Sequence, residues 1–234
     1  MKSHTIHVPT RYLAALKTFI NPDEFRPALV GVLVEVTSSG IYMIATDGHK
    51  LGVSRQSTTP DPAAHASFII PFFMLQYIRT NEYKMYQENW VEVTYSPIPK
   101  CVGRSYPSHG YSLNITYADR NYASVSVDAR PVNWRSVFPA TTSGEIAQFN
   151  AHQIAALAET LDALSPDIPI ELRIAHNGNT FASLLDFGDE NFIGVLMPLC
   201  AKFQLDMRTT PPDWILQYPT NNPTQKHGST EKIS

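Results

Sequence analysis

Val30, Val32, Val34 and Val36 recur at every second position, with Leu29 and Leu33 among them. Such β-branched alternation predicts a well-buried strand. The turn residues Thr37-Ser38-Ser39-Gly40 follow, and Ile41-Tyr42-Met43-Ile44-Ala45 predicts a strand returning from them. Asp47-Gly48 then marks a tight turn before a third strand at Leu51-Gly52-Val53. Ahead of this run, Thr5-Ile6-His7-Val8 reads as a strand, and Pro9 suits the first helical position, where its missing N–H costs nothing. Leu13, Leu16 and Ile20 put one apolar face on a helix over 12–20, which Asn21-Pro22 ends. The unit is strand–helix–strand–strand–strand, closing near Ser54 before a Pro/Ser/Thr/Asp linker over 55–66.

The layout recurs twice. Ser67-Phe68-Ile69-Ile70 predicts a strand, Pro71 a helix start, and Met74, Leu75 and Ile78 its apolar face. Strands are predicted over 90–95, 111–117 and 123–127, with a Pro/Gly/Ser-rich loop over 96–110. In the third pass, Ile146-Ala147-Gln148-Phe149 predicts a strand, and Asn150 with Gln153 makes a capping-box pattern. Ile154, Leu157, Leu161 and Leu164 give the cleanest amphipathic helix, stopped by Pro166. Strands over 168–174 and 180–185 flank an Asn177-Gly178 turn, and 191–197 is the last strand. The chain therefore carries an internal repeat of shape, not of identical letters. Each unit alone leaves an apolar face or sheet edge open, so units should pack in pairs. The pattern fails from Pro211, and the polar run over 220–234 reads as a disordered tail.

With 234 residues the chain can bury a sizeable core. A net charge of −3 excludes a uniformly basic nucleic-acid binder but leaves room for a local basic stripe. Cys101 and Cys200 lie far apart with no metal spacing, and a reduced cytoplasmic compartment is the simpler reading, with one disulfide left open. The N-terminal MKSHTIHVPT lacks a signal-peptide core, and no run reaches transmembrane length, so no membrane partner is expected. No phosphate-binding glycine loop, nucleophile elbow, paired His/Cys site or carboxylate cluster is found. An enzyme is not expected, nor any cofactor or metal.

Several motifs carry a resemblance. Arg26-Pro27-x-Leu29-x-Gly31-Val32-Leu33 and Ala45-Thr46-Asp47-Gly48-His49-Lys50-Leu51 resemble the middle domain of the bacterial DNA polymerase III β sliding clamp. Pro131-Val132-Asn133-Trp134-Arg135-Ser136-Val137-Phe138-Pro139 is similar to that family's link into its last domain, and residues 146–150 with Val195-Leu196-Met197-Pro198-Leu199 resemble the last half of that domain. The resemblance spans roughly residues 5–199 and lacks the family's first domain and the first half of its last. It implies an α+β, DNA-clamp-like fold with antiparallel sheets and helices on one side. The expected division is a complete clamp-like domain over 1–139, a half domain over 140–208 and an extended tail over 209–234.

The resemblance also implies an apolar pocket that captures a short linear peptide of DNA polymerases or other replication and repair proteins. Carried over by position, its residues are Thr46, Gly48, His49, Lys50, Leu51, Val137, Asn150, Gln153, Val195, Met197 and Pro198. Ser136 stands where the family usually has a second Arg beside Arg135. Taken without the family, His49 with Asp47 forms no full ligand set, Lys50 fits a solvated turn equally well, and Trp134 reads either as an exposed anchor or as a buried link residue. Gln204-Leu205-Asp206-Met207 is similar to the opening of the family's peptide ligand, so this segment is a candidate occupant of the pocket. Double-stranded DNA, bound without sequence specificity, would meet Arg11, Lys17, Arg79 and Lys84, whereas the third helix offers Glu159 and Asp162 and no base. An odd number of units leaves the third without a partner, so a homodimer through 145–199, or a tetrameric ring, is expected. The function implied is a shortened sliding-clamp-like processivity factor. The alternative is a non-encircling clamp-fold module that binds clamp-ligand peptides or a host clamp.

Overall fold

The computed structural model describes residues 2–58, 60–78, 90–98, 110–165 and 171–199. The first unit is β1 (His4–Pro9), α1 (Thr10–Lys17), β2 (Gly31–Thr37), β3 (Gly40–Thr46) and β4 (Lys50–Gln56). The second is β5 (Ala66–Pro71), α2 (Phe72–Leu75), β6 (Trp90–Pro97), β7 (Tyr111–Tyr117) and β8 (Arg120–Val125). Both helices start directly after a proline held in an extended conformation, so Pro9 and Pro71 are caps, not first helical residues. The third unit is α3 (Ala151–Leu164), β9 (Arg173–Ala175), β10 (Ser183–Asp186) and β11 (Phe192–Leu196).

The first two units exchange their leading strands. β1 pairs antiparallel with β6, and β5 with β2. Each exchanged strand covers an edge that the other unit would leave bare. The result is a four-stranded sheet in the order β1-β6-β7-β8 and a seven-stranded sheet in the order β5-β2-β3-β4-β11-β10-β9. The long sheet runs without a break from the first unit into the third, because β11 pairs with β4.

Strand alternation sorts the side chains into two cores. Val32, Val34, Val36, Ile41, Met43 and Ala45 face the helices, where they meet Leu13, Leu16, Phe19, Met74 and Leu157 and the inner face of the short sheet. Leu33, Ile44, Leu51, Val53, Ile69 and Val195 point the other way into a second cluster, closed by Trp134. The long sheet is therefore apolar on both faces, which explains why its strands carry nearly continuous hydrophobic runs.

Several expectations are corrected. The third unit does have partners in its own chain: β11 joins β4, and α3 packs on α1, where Thr18 and Thr160 share a hydrogen bond of 2.6 Å. Tyr12 on α1 reaches Asp189 before β11 at 3.0 Å, and Arg11 lies 3.3 Å from the same carboxylate. The argument that drew a dimer through this unit's bare face therefore fails. Residues 146–149 form no strand, and no strand among the described residues pairs with them. Their segment folds back instead: the N–H of Ala147 donates to His176 Nδ1 at 3.2 Å and that of Gln148 to Asn179 Oδ1 at 2.9 Å. The capping box is half made, since Asn150 accepts from the N–H of His152, while the Gln153 side-chain oxygen is buried without a hydrogen-bond partner. β8 begins at Arg120, before the expected 123, because Ala118 and Asp119 turn the chain with φ of 48° and 57°. Arg79, Lys84, both cysteines and the whole segment over 200–234, including Gln204-Leu205-Asp206-Met207, lie outside the described residues.

The join between β4 and β11 centres on Gly52 opposite Gly194. A Cβ on Gly194 would stand 2.9 Å from the Leu51 carbonyl oxygen, which is backbone and cannot swing aside. Gly194→Ala should cost about 1–3 kcal/mol, read as a lower urea midpoint at unchanged slope.

Candidate functional site

The site begins with the turn between β3 and β4. Thr46 Oγ1 donates to the Lys50 carbonyl at 2.7 Å and accepts from the Gly48 N–H at 3.0 Å. Asp47 Oδ1 accepts from the N–H groups of His49 and Lys50, both at 2.8 Å, and Oδ2 meets Lys50 Nζ at 2.8 Å. Gly48 has φ of 89°, a left-handed conformation open to glycine. The turn is thus locked from inside, and both charged side chains of the Asp47–Lys50 pair are buried. Lys50 is an internal strut and not a solvated charge. Gly48 and His49 are the exposed members of the turn.

β11 lies beside this turn. Val195 pairs with Leu51 and Leu196 with Lys50. The Met197 N–H extends the ladder by donating to the His49 carbonyl at 2.8 Å, and Leu199 donates to the Gln148 carbonyl at 2.8 Å. That last bond ties the end of the strand to the segment entering α3, where Asn150 and Gln153 stand. Thr46, Gly48, His49, Lys50, Leu51, Val195, Met197 and Pro198 are therefore gathered along one seam. Leu51 and Val195 form its floor and are fully covered, beneath Trp134 and Phe138. Met197 is 37% exposed at this seam, and Val137, 38% exposed, stands on the link between Trp134 and Phe138.

The link over the second core is fixed by charge and ring contacts. Trp134 is buried, which decides between its two readings. The Arg135 guanidinium sits 4.0 Å from the Trp134 ring centre and pairs with Glu35 at 2.9 Å. Ser136 donates to the Asn133 carbonyl, so the residue in place of the family's second Arg closes the turn locally.

One arm of the site was missed in the sequence. Arg26 pairs with Glu24 at 2.7 Å and reaches the Asp47 carbonyl at 3.4 Å. Hydrogen bonds from Arg26 pull the Glu24 carboxyl down to about 2. Phe25 between them is 88% exposed. Arg26-Pro27 entered the sequence reading only as a family marker, and a single exposed Phe has no periodic signal.

Of the bases expected to meet DNA, the two that are described, Arg11 and Lys17, are engaged within the chain. Arg11 contacts Tyr12 and Asp189, and Lys17 Nζ donates to the Ile78 carbonyl at 2.7 Å. Glu159 and Asp162 are exposed on α3. A separate cleft of about 540 Å³ along β5 is lined by Ser67, Tyr111, Asp128 and Arg130, among others, and includes none of the seam residues. Among the described residues no group of three His, Cys, Asp or Glu side chains could hold a metal, and no helix is long and apolar enough to cross a membrane.

Solved structures with the same arrangement are bacterial clamps. The DNA polymerase III β subunit of Thermotoga maritima superposes with a TM-score of 0.59 at 15% identity, over 86% of this chain and 66% of that one. The DNA polymerase sliding clamp of Pseudomonas aeruginosa gives 0.59 at 14%, over 84% and 66%. That of Bacillus subtilis gives 0.56 at 17%, over 85% and 64%. The fold is a sliding-clamp fold. This chain spans less than two thirds of each of these clamps. No family model and no curated protein matches the sequence.

Burial alone would raise the Asp47 pKa, but the Lys50 ammonium and the two turn N–H groups outweigh it and hold the carboxyl below its ordinary value. A lowered folded value means that the stabilisation is complete above about pH 4, the ordinary Asp value. It is lost as pH falls through the depressed one. Asp47→Asn, which strands the Lys50 ammonium, should cost about 3–5 kcal/mol at neutral pH. The difference from the parent in denaturant melts should close toward zero in strong acid.

Proposed function

We propose that this chain is a sliding-clamp-like accessory protein of DNA replication or repair that captures a short linear peptide of a polymerase or other partner over the β4–β11 seam. The observation that carries this is the pairing of Leu51 with Val195, joined to the turn by the Met197–His49 hydrogen bond. A covered apolar floor resists collapse, and an exposed Met and Val offer adaptable burial. His49 and Asn150 supply polar groups that fix a peptide's direction. Lys50 and Thr46 act by shaping the turn. The proteins of like fold are named as polymerase subunits and clamps, and at this identity their activity enters here as a reading, not as a property of the chain.

The test uses a fluorescein-labelled Gln-Leu-Asp-Leu-Phe peptide and the full chain. Anisotropy should show saturable binding. Met197→Ala and Val137→Asp should each weaken it by about tenfold, equivalent to about 1.4 kcal/mol of lost contact. Thr5→Ala, on the far sheet, should leave it unchanged. Absence of binding, or equal binding by all variants, would remove the proposal.

A second reading, in which the module does not encircle DNA, is favoured by the state of the helix charges. Arg11 and Lys17 are held by intramolecular partners, and α3 turns Glu159 and Asp162 to solvent. Phosphates would meet few free cations on these helices. On this reading the protein binds the peptide but washes off nicked circular DNA as readily as off the linear form. Salt-resistant retention on the circle alone would establish encirclement instead.

A further inference from the structure

β5 is the outermost strand of the seven-stranded sheet, with β2 on one side. The Phe72 N–H donates to the Val30 carbonyl at 3.2 Å, so the even-numbered residues of β5 turn their main-chain groups toward β2. Alternation turns those of Ser67 and Ile69 outward, and both residues line the cleft of about 540 Å³. On this side the Ile69 carbonyl accepts from the Val127 N–H at 3.0 Å. The Ile69 N–H and the N–H and carbonyl of Ser67 have no hydrogen-bond partner among the described residues. Ile69 is 1% exposed. A buried N–H left unpaired is costly, and an acceptor entering the cleft would relieve it.

The rest of the lining limits what the occupant can be. The open edge is short: the helical turn Pro62–Ala64 precedes it, and Val127 closes it at the Ile69 carbonyl. A peptide strand would find room for one pair of bonds and no ladder. The Ser67 carbonyl and the Ile69 N–H instead set one acceptor beside one donor, both facing the cleft. The Watson–Crick edge of a nucleobase carries the complement, a donor next to an acceptor in one plane. Tyr111 supplies an aromatic wall, with ring centres 5.5 Å from Phe68 and 6.1 Å from Tyr95. Its N–H donates at 3.0 Å to the Oγ of Ser126, which is buried in the same lining. Base rings pack well on such walls. Asp128 and Arg130 also line the cleft; both are exposed and have no ion-pair partner among the described residues. A carboxylate accepts from ribose hydroxyls, and a guanidinium binds phosphate.

We propose that this cleft is a binding site for a nucleoside monophosphate. The base edge bonds to the Ser67 carbonyl and the Ile69 N–H, and the base lies against Tyr111. The ribose hydroxyls donate to Asp128, and the phosphate meets Arg130. The volume falls within the range of about 300–1,000 Å³ usual for small-ligand sites. No residue of the β4–β11 seam takes part, so the site does not depend on peptide capture there.

Amide NMR spectra of the full chain, titrated with AMP, test this. The Ile69 amide should move downfield as it gains an acceptor, with saturable shifts at Ser67 and Val127. Arg130 is exposed, so Arg130→Gln should fold normally, as circular dichroism would verify. It should weaken AMP by about tenfold and leave adenosine binding unchanged. Inorganic phosphate alone should leave the Ile69 amide in place. An Ile69 amide that does not move at millimolar AMP, AMP binding that Arg130→Gln does not weaken, or shifts that phosphate alone reproduces would each overturn the proposal.

Discussion

The close approach of β4 and β11 is the constraint on which the molecule depends. Their pairing brings Gly52 opposite Gly194, with the Phe19 ring packed where a Gly52 side chain would lie. A wider join would separate the units and open both cores at once. On one side it sets α1 against α3 and delivers Asp189 to Tyr12 and Arg11. On the other it sets Val195 beside Leu51 beneath Trp134. The candidate site is therefore a by-product of the join: its floor is the second core, and its rim is the turn that the join locks through Met197 and His49.

The fate of each sheet edge explains much of the remainder. Two units exchange β1 and β5, and each gains a covered edge. The third unit, with no exchange partner among the described residues, needs another solution. Its leading segment lies against the turn after β9 and satisfies its N–H groups with His176 and Asn179 side chains in place of a ladder. This is the response expected of main chain that can neither remain unpaired nor find a strand. Among the described residues the seven-stranded sheet thus ends in a short β9 followed by a turn that the irregular segment lines, whereas the four-stranded sheet ends in β8, which is regular and charged only at Arg120.

Local pattern carried the first unit well. The valine alternation, the Thr37–Gly40 turn and the Asp47-Gly48 turn all read directly into β2, β3 and β4, because strand alternation and glycine turns leave strong short-range signals. The Ala118-Asp119 turn did not, since Ala118 gives no sign of a left-handed backbone and Asp119 only a weak one without a glycine beside it. Residues 146–149 have the composition of a strand, but a strand needs a neighbour, and whether one exists is not a local property. Likewise Asn150 and Gln153 have capping-box spacing, yet the Gln153 oxygen goes unused. The seam residues were legible through motif resemblance alone. Nothing in their spacing reveals that Leu51 and Val195 would be covered or that Lys50 would turn inward to Asp47.

That inward turn bears on how the site works. A buried ion pair adds little net attraction once desolvation is counted, and its clearest use is to specify one arrangement over others. Here it fixes the direction of the main chain at Gly48 and His49, with Arg26 reaching the same turn from outside. On the proposed reading, the surface offered to a peptide is nearly neutral, with Met197 and the exposed turn backbone at its centre. The Arg135 guanidinium is already matched to Glu35. Recognition at such a surface would rest on shape and apolar burial, with charge acting at its margins. It would persist whether or not the helices on the far side of the sheet ever meet a phosphate.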